Sequence, residues 1–305
     1  MALNAGLGSG RLGLGCAPLG NLYSAVDDTT AEAVVQAAWA VGIRLFDTAP
    51  LYGHGLSEQR LGRALAGLPR HEAVVSSKVG RVLVEGDPGP TIFAGVPRVR
   101  PRFDFSRDGV LRSIETSLAR LGLDRLDVVH VHDPDDHEHE ALDGAFPTLV
   151  ELREQGVIGA VGCGMNQAEM LRRYVDRVDL DVILLAGRWS ILDHAVAARA
   201  LLDRCVERGV GVLAGGVLNS GLLAGGETFD YEPADAARRA AADRLRAACA
   251  RHGVDLLAAA LQFPARHPAV HTVLVGARSD AEVTADADAF RRRLPDALWA
   301  DPALA

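Results

Sequence analysis

The sequence predicts a (β/α)8 TIM barrel, and three observations carry that prediction. Eight short β-rich runs are spread along the chain, at 12–17, 43–48, 73–79, 126–132, 157–163, 181–185, 210–214 and 272–275. Most are apolar throughout, as expected of strands buried on both faces of a parallel sheet. Stretches of helical period separate them, and strand–helix alternation of this kind builds a closed barrel or an open doubly wound sheet. The open sheet calls for a G-x-G-x-x-G turn after its first strand. Here the only early glycine cluster, Gly6-Leu7-Gly8-Ser9-Gly10, precedes that strand.

The helices follow in order. The run 29–41 starts on Asp-Asp-Thr-Thr, which supplies capping oxygens. The next, 57–65, follows a glycine-rich loop. In 106–121, Ser106 is the expected N-cap, and Val110, Ile114, Leu118 and Leu121 fall on one face. Further helices are expected at 141–155, 167–175, 195–208, 235–250, 256–266 and 281–291. Most connections are short. The segment 80–105 is not; it carries Pro88, Pro90, Pro97 and Pro101 and reads as a long loop. It follows the third strand, on the face where barrels keep their active sites, so it is expected to act as a substrate-side lid. With no linker, repeat or low-complexity tract, residues 1–305 read as one barrel domain.

Composition bounds the partners. The 305 residues carry 32 Lys plus Arg against 40 Asp plus Glu, a formal charge of −8. That balance argues against a nucleic-acid partner, which calls for a basic face. No run approaches the roughly 20 apolar residues of a membrane span, and the start shows no secretory h-region. Cys16, Cys163, Cys205 and Cys249 lie far apart with no CxxC, as expected of reduced thiols in a cytoplasmic protein. The composition suits a monomer or a weak homodimer.

Chemistry is expected where the strands end. The second strand ends in Asp47-Thr48-Ala49-Pro50-Leu51-Tyr52-Gly53, the third in Ser76-Ser77-Lys78, and the fourth in His130-Val131-His132-Asp133-Pro134. Neighbouring strands are about 4.8 Å apart, so an Asp, a Tyr, a Lys and a His can converge. A phenol with its usual pKa near 10 exchanges protons poorly at neutral pH, and an adjacent ammonium is expected to lower that pKa. A buried ammonium needs a counter-ion, which Asp47 can supply. A neutral His can donate a hydrogen bond to a substrate oxygen. Such a Tyr can pass a proton to or from a carbonyl or alcohol oxygen while hydride moves at carbon. Ser76 and Ser77 lack a G-x-S-x-G elbow, which argues against a hydrolase. The run His137-Glu138-His139-Glu140 has the types of a metal site without its spacing, so no metal is expected.

DTAPLYG, SSKVGR, LDVVHVHDPD and GAVGCGMN resemble the aldo-keto reductase superfamily, over residues 12–286. Longer stretches, among them FDTAPLYGHGLSEQRLGRAL and LAGRWSILDH, resemble its aldose 1-dehydrogenase and pyridoxal 4-dehydrogenase group. The resemblance implies a catalytic tetrad of Asp47, Tyr52, Lys78 and His132; His130 shares the parity of His132 but lies one pair earlier on the strand. It also implies an NAD or NADP cofactor. Asn166 is expected at the carboxamide, although it could equally cap the helix that follows. The loop with Gly216, Val217, Leu218, Ser220 and Gly221 is expected at the pyrophosphate, where glycine amides approach closely. The segment with Gly276, Arg278, Glu282 and Asp286 is expected at the adenosine; Arg278 could meet the 2′-phosphate of NADP while the Glu282 carboxylate would repel it, and the balance leans to NAD. Many relatives place a Tyr where this chain has Gly215, so Trp189 is expected to cover the nicotinamide. Tyr23, Phe93 and Trp189 are expected to shape the substrate pocket. The implied reaction is oxidation of an aldose to its lactone. The alternatives are reduction of an aldehyde or biosynthetic intermediate, a pyridoxal-type dehydrogenase, and a nucleotide-sensing regulatory subunit.

Overall fold

The computed structural model describes residues 10–304. Residues 6–9 of the early glycine cluster lie outside it. Eight parallel strands close into a barrel. They are β1 (Leu12–Gly15), β2 (Leu45–Asp47), β3 (Val74–Val79), β6 (Leu126–His132), β7 (Ile158–Met165), β8 (Val182–Ala186), β9 (Gly211–Gly215) and β12 (Val270–Val275). Their order around the barrel is β1-β12-β9-β8-β7-β6-β3-β2. All eight overlap the runs expected from sequence.

The strands are apolar throughout because each serves two cores. Leu45, Val128, Val182, Leu184, Leu213 and Leu274 form a cluster inside the barrel. The alternating set, among them Phe46, Val75, Val129, Val131, Val161, Ile183 and Val212, packs in the larger cluster beneath the helices. Continuing the inward parity toward the carboxyl ends brings in Asp47, Ser76, Lys78, His130 and His132. The interior is thus hydrocarbon below and polar above.

Helix α1 (Asp28–Ala40) is capped by Asp27, whose carboxylate accepts from Thr30 N at 2.7 Å. Helix α2 (Leu56–Leu65) follows the loop that carries Tyr52. Helix α3 (Arg107–Leu121) is capped as expected by Ser106, which accepts from Gly109 N at 3.1 Å. Each cap satisfies a backbone donor that the first turn leaves free.

Two regions depart from the sequence reading. The segment 80–105 is no structureless loop. It folds as an antiparallel hairpin of β4 (Arg81–Glu85) and β5 (Val99–Phe103). Its prolines are tolerated because Pro88 and Pro90 fall in the tip and Pro101 lies on a strand with only one partner. The tip is tied to the loop after β1: Tyr23 N donates to Ile92 O at 2.9 Å, and Ala94 N to Asn21 O at 2.9 Å. A second, shorter pair, β10 (Thr228–Phe229) and β11 (Glu232–Pro233), has no counterpart in the sequence reading. The C-terminal tail packs on the barrel wall: Leu298 and Leu304 are buried beside the helices Ala236–Arg251 and Leu256–Gln262, and Asp301 accepts from Arg251 and His252. Among the described residues no helix is long and apolar enough to cross a membrane.

Candidate active site

The polar layer is organised around one buried ion pair. Lys78 Nζ donates to Asp47 Oδ2 at 2.6 Å and to Thr48 O at 2.8 Å, and both side chains are almost wholly enclosed. Ser76 Oγ occupies the other carboxylate oxygen at 2.8 Å. A buried charge pair survives only when its remaining valences are met in this way. The register sets these residues level with one another, Asp47 beside Ser76 and Lys78 beside His130.

Tyr52 stands over this pair. Its ring centroid lies 4.8 Å from Lys78 Nζ and 5.9 Å from the His132 ring, which meets it edge-on at 87°. Phe93, from the β4–β5 hairpin, closes the far side at 6.0 Å. The loop carrying Tyr52 is held at close quarters. A Cβ on Gly20 would come within 2.5 Å of the Tyr52 carbonyl carbon, and Gly53, at φ 61°, makes the reciprocal contact with Gly20 O. Only glycines allow these two backbones to touch. Below, Ser57 Oγ donates to Cys16 O at 2.6 Å and bonds Thr48 Oγ1 at 2.9 Å. Ser77, one residue after the inward Ser76, faces the helices and donates to Glu58 Oε1 at 2.7 Å; Arg120 binds Glu58 Oε2 at 2.6 Å. This network fixes α2, and so the Tyr52 loop, to β3 and α3. Neither serine has the setting of a nucleophile.

The electrostatics correct one expectation. Lys78 does not leave Tyr52 acidic, because the phenol is buried. Burial, then Asp47 and Asp133, hold the phenol well above its ordinary pKa, with Arg81 opposing. His132 is held neutral, chiefly by burial and then by the cations Arg81 and Lys78. His130 is fully buried, both its ring nitrogens lack partners, and burial lowers its pKa to about 4. Arg81 NH2 binds Asp133 Oδ2 at 3.0 Å, and that same oxygen lies 3.5 Å from His132 Nε2.

A cavity at the carboxyl ends of β7, β8 and β9 is lined by Asn166, Ala186, Gly187, Gly216, Asn219, Ser220, Asp230 and Tyr231. It gathers Asn166, Gly216 and Ser220 of the expected cofactor residues. Asn166 does not cap the following helix; Gln167 holds that position, without a side-chain cap. Gly216, at φ 62°, could not carry a side chain, since a Cβ would lie 2.9 Å from Gly187 N. Asn219 Oδ1 is buried without a partner. A close-packed glycine backbone beside an orphaned acceptor suits the amide and phosphate groups of a nicotinamide dinucleotide. Val217 and Leu218 turn their side chains into the cores and offer only backbone there. Ser220 and Gly221 follow with left-handed φ of 57° and 99°.

Past β12, Gly276 packs on Pro18. Arg278 is exposed, and its backbone N donates to Glu282 Oε2 at 2.8 Å, while Ser279 Oγ accepts from Glu282 N at 3.2 Å. Glu282 is thus engaged in ordering a helix start. Asp286 is buried on the same helix, and burial together with Glu282 pushes its carboxyl up to about 7.

Trp189 is the clear misplacement. It is 4 % exposed, donates to Pro264 O at 3.3 Å and packs on Phe263 and His267, away from the mouth. The aromatic that lines the cavity is Tyr231, which the sequence reading missed. Arg188 holds its loop through Asp230, with two bonds of 2.8 Å. Tyr231 faces Tyr23 at 6.5 Å between centroids. No local motif links Arg188 to Asp230; only the fold joins them. Of the run His137-Glu138-His139-Glu140, His137 packs on Phe103 and Phe105, and Glu138 is bound to Arg173. All four cysteines are free and buried.

Comparison with known proteins agrees with this architecture. The model of the Aldo/keto reductase family matches residues 11–301. A D-threo-aldose 1-dehydrogenase of a Pseudomonas species is 41% identical, covering 98% of this chain and 95% of its own. A pyridoxal 4-dehydrogenase of Microbacterium luteolum is 40% identical over 96% and 93%. Among solved structures, the holo form of an aldo-keto reductase from Bacillus halodurans superposes with a TM-score of 0.75 at 28% identity, covering 94% of this chain and 88% of that one. A glycerol dehydrogenase of Gluconobacter oxydans gives 0.76 at 26%, covering 95% and 89%. With its closed parallel barrel and its matched length, this chain belongs to the aldo/keto reductase family.

Proposed function

We propose that the protein is an NAD(P)-dependent oxidoreductase acting on an aldose hemiacetal or an aldehyde, with Asp47, Tyr52, Lys78 and His132 as its catalytic tetrad. The observation that carries this reading is the enclosed Lys78–Asp47 pair at 2.6 Å beneath the Tyr52 ring. The nicotinamide dinucleotide, when bound, supplies or accepts the hydride. Asn166, the backbone from Gly216 to Gly221, and the segment with Gly276, Arg278, Glu282 and Asp286 would hold it. Glu282 sets a carboxylate where a 2′-phosphate would be repelled, which favours NAD.

Tyr52 moves the proton. In the reductive direction its hydroxyl donates to the carbonyl oxygen as that oxygen gains charge. In the oxidative direction Tyr52 must first give up its own proton to solvent; the phenolate oxygen then takes the proton of the anomeric hydroxyl, and the sugar leaves as a lactone. Since the phenol is held above its ordinary pKa, proton donation is its resting capability at neutral pH. Lys78 offsets the charge that appears on the phenolate, and Asp47 keeps Lys78 in place. His132, neutral, can donate to the substrate oxygen and fix its position. The relatives that act, by name, on an aldose and on pyridoxal support both substrate readings.

The test is turnover followed by the absorbance of the reduced dinucleotide, with NAD and NADP, over L-fucose, other aldoses, pyridoxal and simple aldehydes. Lactone formed from an aldose supports the reading. Tyr52→Phe is expected to cut kcat by about 10³-fold, within the range of a lost general acid–base, while dinucleotide binding persists. Near-normal turnover in that variant removes the mechanism. A wild type inert on every substrate would favour a nucleotide-sensing role.

A further inference from the structure

Directly beside His132 at the mouth, Asp133 is a carboxylate with an oxygen to spare. Asp47 has both oxygens bonded, by Ser76 and Lys78, and the buried Glu58 has both bonded, by Ser77 and Arg120. Asp133 Oδ2 accepts from Arg81 NH2, whereas Oδ1 makes no hydrogen bond among the described residues. Its side chain is 32% exposed, and it directly follows His132. Burial raises its carboxyl pKa, with Arg81 opposing.

The backbone there is unusual. Asp133 adopts φ 42°, the left-handed region, where a residue with a Cβ costs about 1 kcal/mol or more. Its amide still donates to Gly164 O at 3.0 Å, so the strand ends normally and only the side chain is redirected. Arg81 is braced in turn, its guanidinium carbon 5.1 Å from the centre of the Phe103 ring. The result is a carboxylate fixed within 3.5 Å of His132 Nε2 without reaching hydrogen-bond geometry, its second oxygen available to a donor.

We infer that Asp133, held by Arg81, is a specificity-determining residue. It accepts a hydrogen bond from a hydroxyl on the carbon next to the reacting carbonyl carbon, so the site selects sugars and other α-hydroxy aldehydes over plain aldehydes. The inference rests on the proposed tetrad, because it takes His132 and Tyr52 as the groups that hold the reacting oxygen. A partly desolvated carboxylate suits this role, because a ligand that cannot donate strips its water without compensation and is rejected.

The experiment compares DL-glyceraldehyde with propanal, of equal chain length, each reduced with saturating dinucleotide. The wild type is expected to favour glyceraldehyde at least tenfold in kcat/KM. In Asp133→Asn, which also tolerates a left-handed backbone, that preference should fall to within about threefold, mainly through a higher KM for glyceraldehyde. Asp133→Gly, free of backbone strain, should lose the preference as well and serves if the first variant folds poorly. A preference retained in the folded variants overturns the inference, and so does an equal loss on both aldehydes, which is what a purely structural role would give. A wild type that reduces propanal as well as glyceraldehyde overturns it while leaving the tetrad intact. A wild type that reduces neither overturns this inference, and the tetrad reading falls with it only if aldose oxidation is absent as well.

Discussion

At the floor of the barrel mouth, Asp47 has both oxygens bonded, Lys78 is enclosed, and every contributing residue sits on a strand whose register is set by its neighbours. At the rim, Asn219 keeps a buried oxygen without a partner, Asp133 has a spare oxygen, and Tyr23 and Tyr231 remain 40% and 49% exposed at φ 65° and 68°. The floor has already made its interactions, so it can stabilise changes of charge without rearranging. The rim keeps unmet valences and uncovered rings, which is the condition for recognising something else. Removing a floor residue should therefore damage the fold as well as the chemistry, while removing a rim residue should alter what is bound.

Lys78→Met puts that contrast under the greatest load. It strands the Asp47 carboxylate without a cation, at a cost of about 3–5 kcal/mol. Denaturant unfolding should show the loss, and turnover should disappear with it. Adding Asp47→Asn should recover much of the stability and none of the turnover. If the single variant loses under about 1 kcal/mol, the floor is hydrated and the contrast fails.

Asp286 gives the next effect, and its sign follows from linkage. The folded carboxyl titrates at about 7, against about 3.9 in an unfolded chain. Folding therefore holds the proton between those values, and stability falls as pH rises through the window, by on the order of 4 kcal/mol. Asp286→Asn should stabilise the dinucleotide-free protein at pH 8 and change little at pH 4. Thermal melts at the two pH values check this, and equal shifts at both would refute it.

Glu58→Gln attacks the support rather than the site. Weakening the bond with Arg120 should cost about 1–2 kcal/mol, with a loss in kcat of only a few fold, since Tyr52 is loosened and not removed. Tyr231→Ala should do least: near-normal unfolding, and a dinucleotide Kd raised about fivefold, or roughly 1 kcal/mol. Protein fluorescence titrated with each dinucleotide measures it. A severe loss of stability in this variant would move Tyr231 from the rim to the floor.

The same contrast governs what could be read from sequence. The barrel was legible because burial on both faces makes each strand an uninterrupted apolar run, and because the floor residues lie at the ends of consecutive runs. The β4–β5 hairpin was not. Its prolines and glycines mimic a loop, and only the pairing of Arg81 with Phe103 through Glu85 with Val99 reveals two strands. Trp189 was misread because an aromatic just beyond a strand looks alike whether it turns to the mouth or to the wall. The acidity expected of Tyr52 was wrong for a related reason: the sequence places Lys78 near the phenol but does not show how deeply the phenol is buried. Arg188 and Asp230 stand 42 residues apart and meet only in the folded chain.

The adjacent serines of β3 have one more consequence. Ser76 is bonded into the barrel and Ser77 out toward the helices, each to a different carboxylate. The strand is therefore keyed on both sides at neighbouring positions, like a bolt with two wards. Sliding it by one residue would break both hydrogen bonds and turn the Lys78 ammonium into hydrocarbon beneath α3. A single-residue deletion in β3 should accordingly abolish folding, not yield a shifted enzyme.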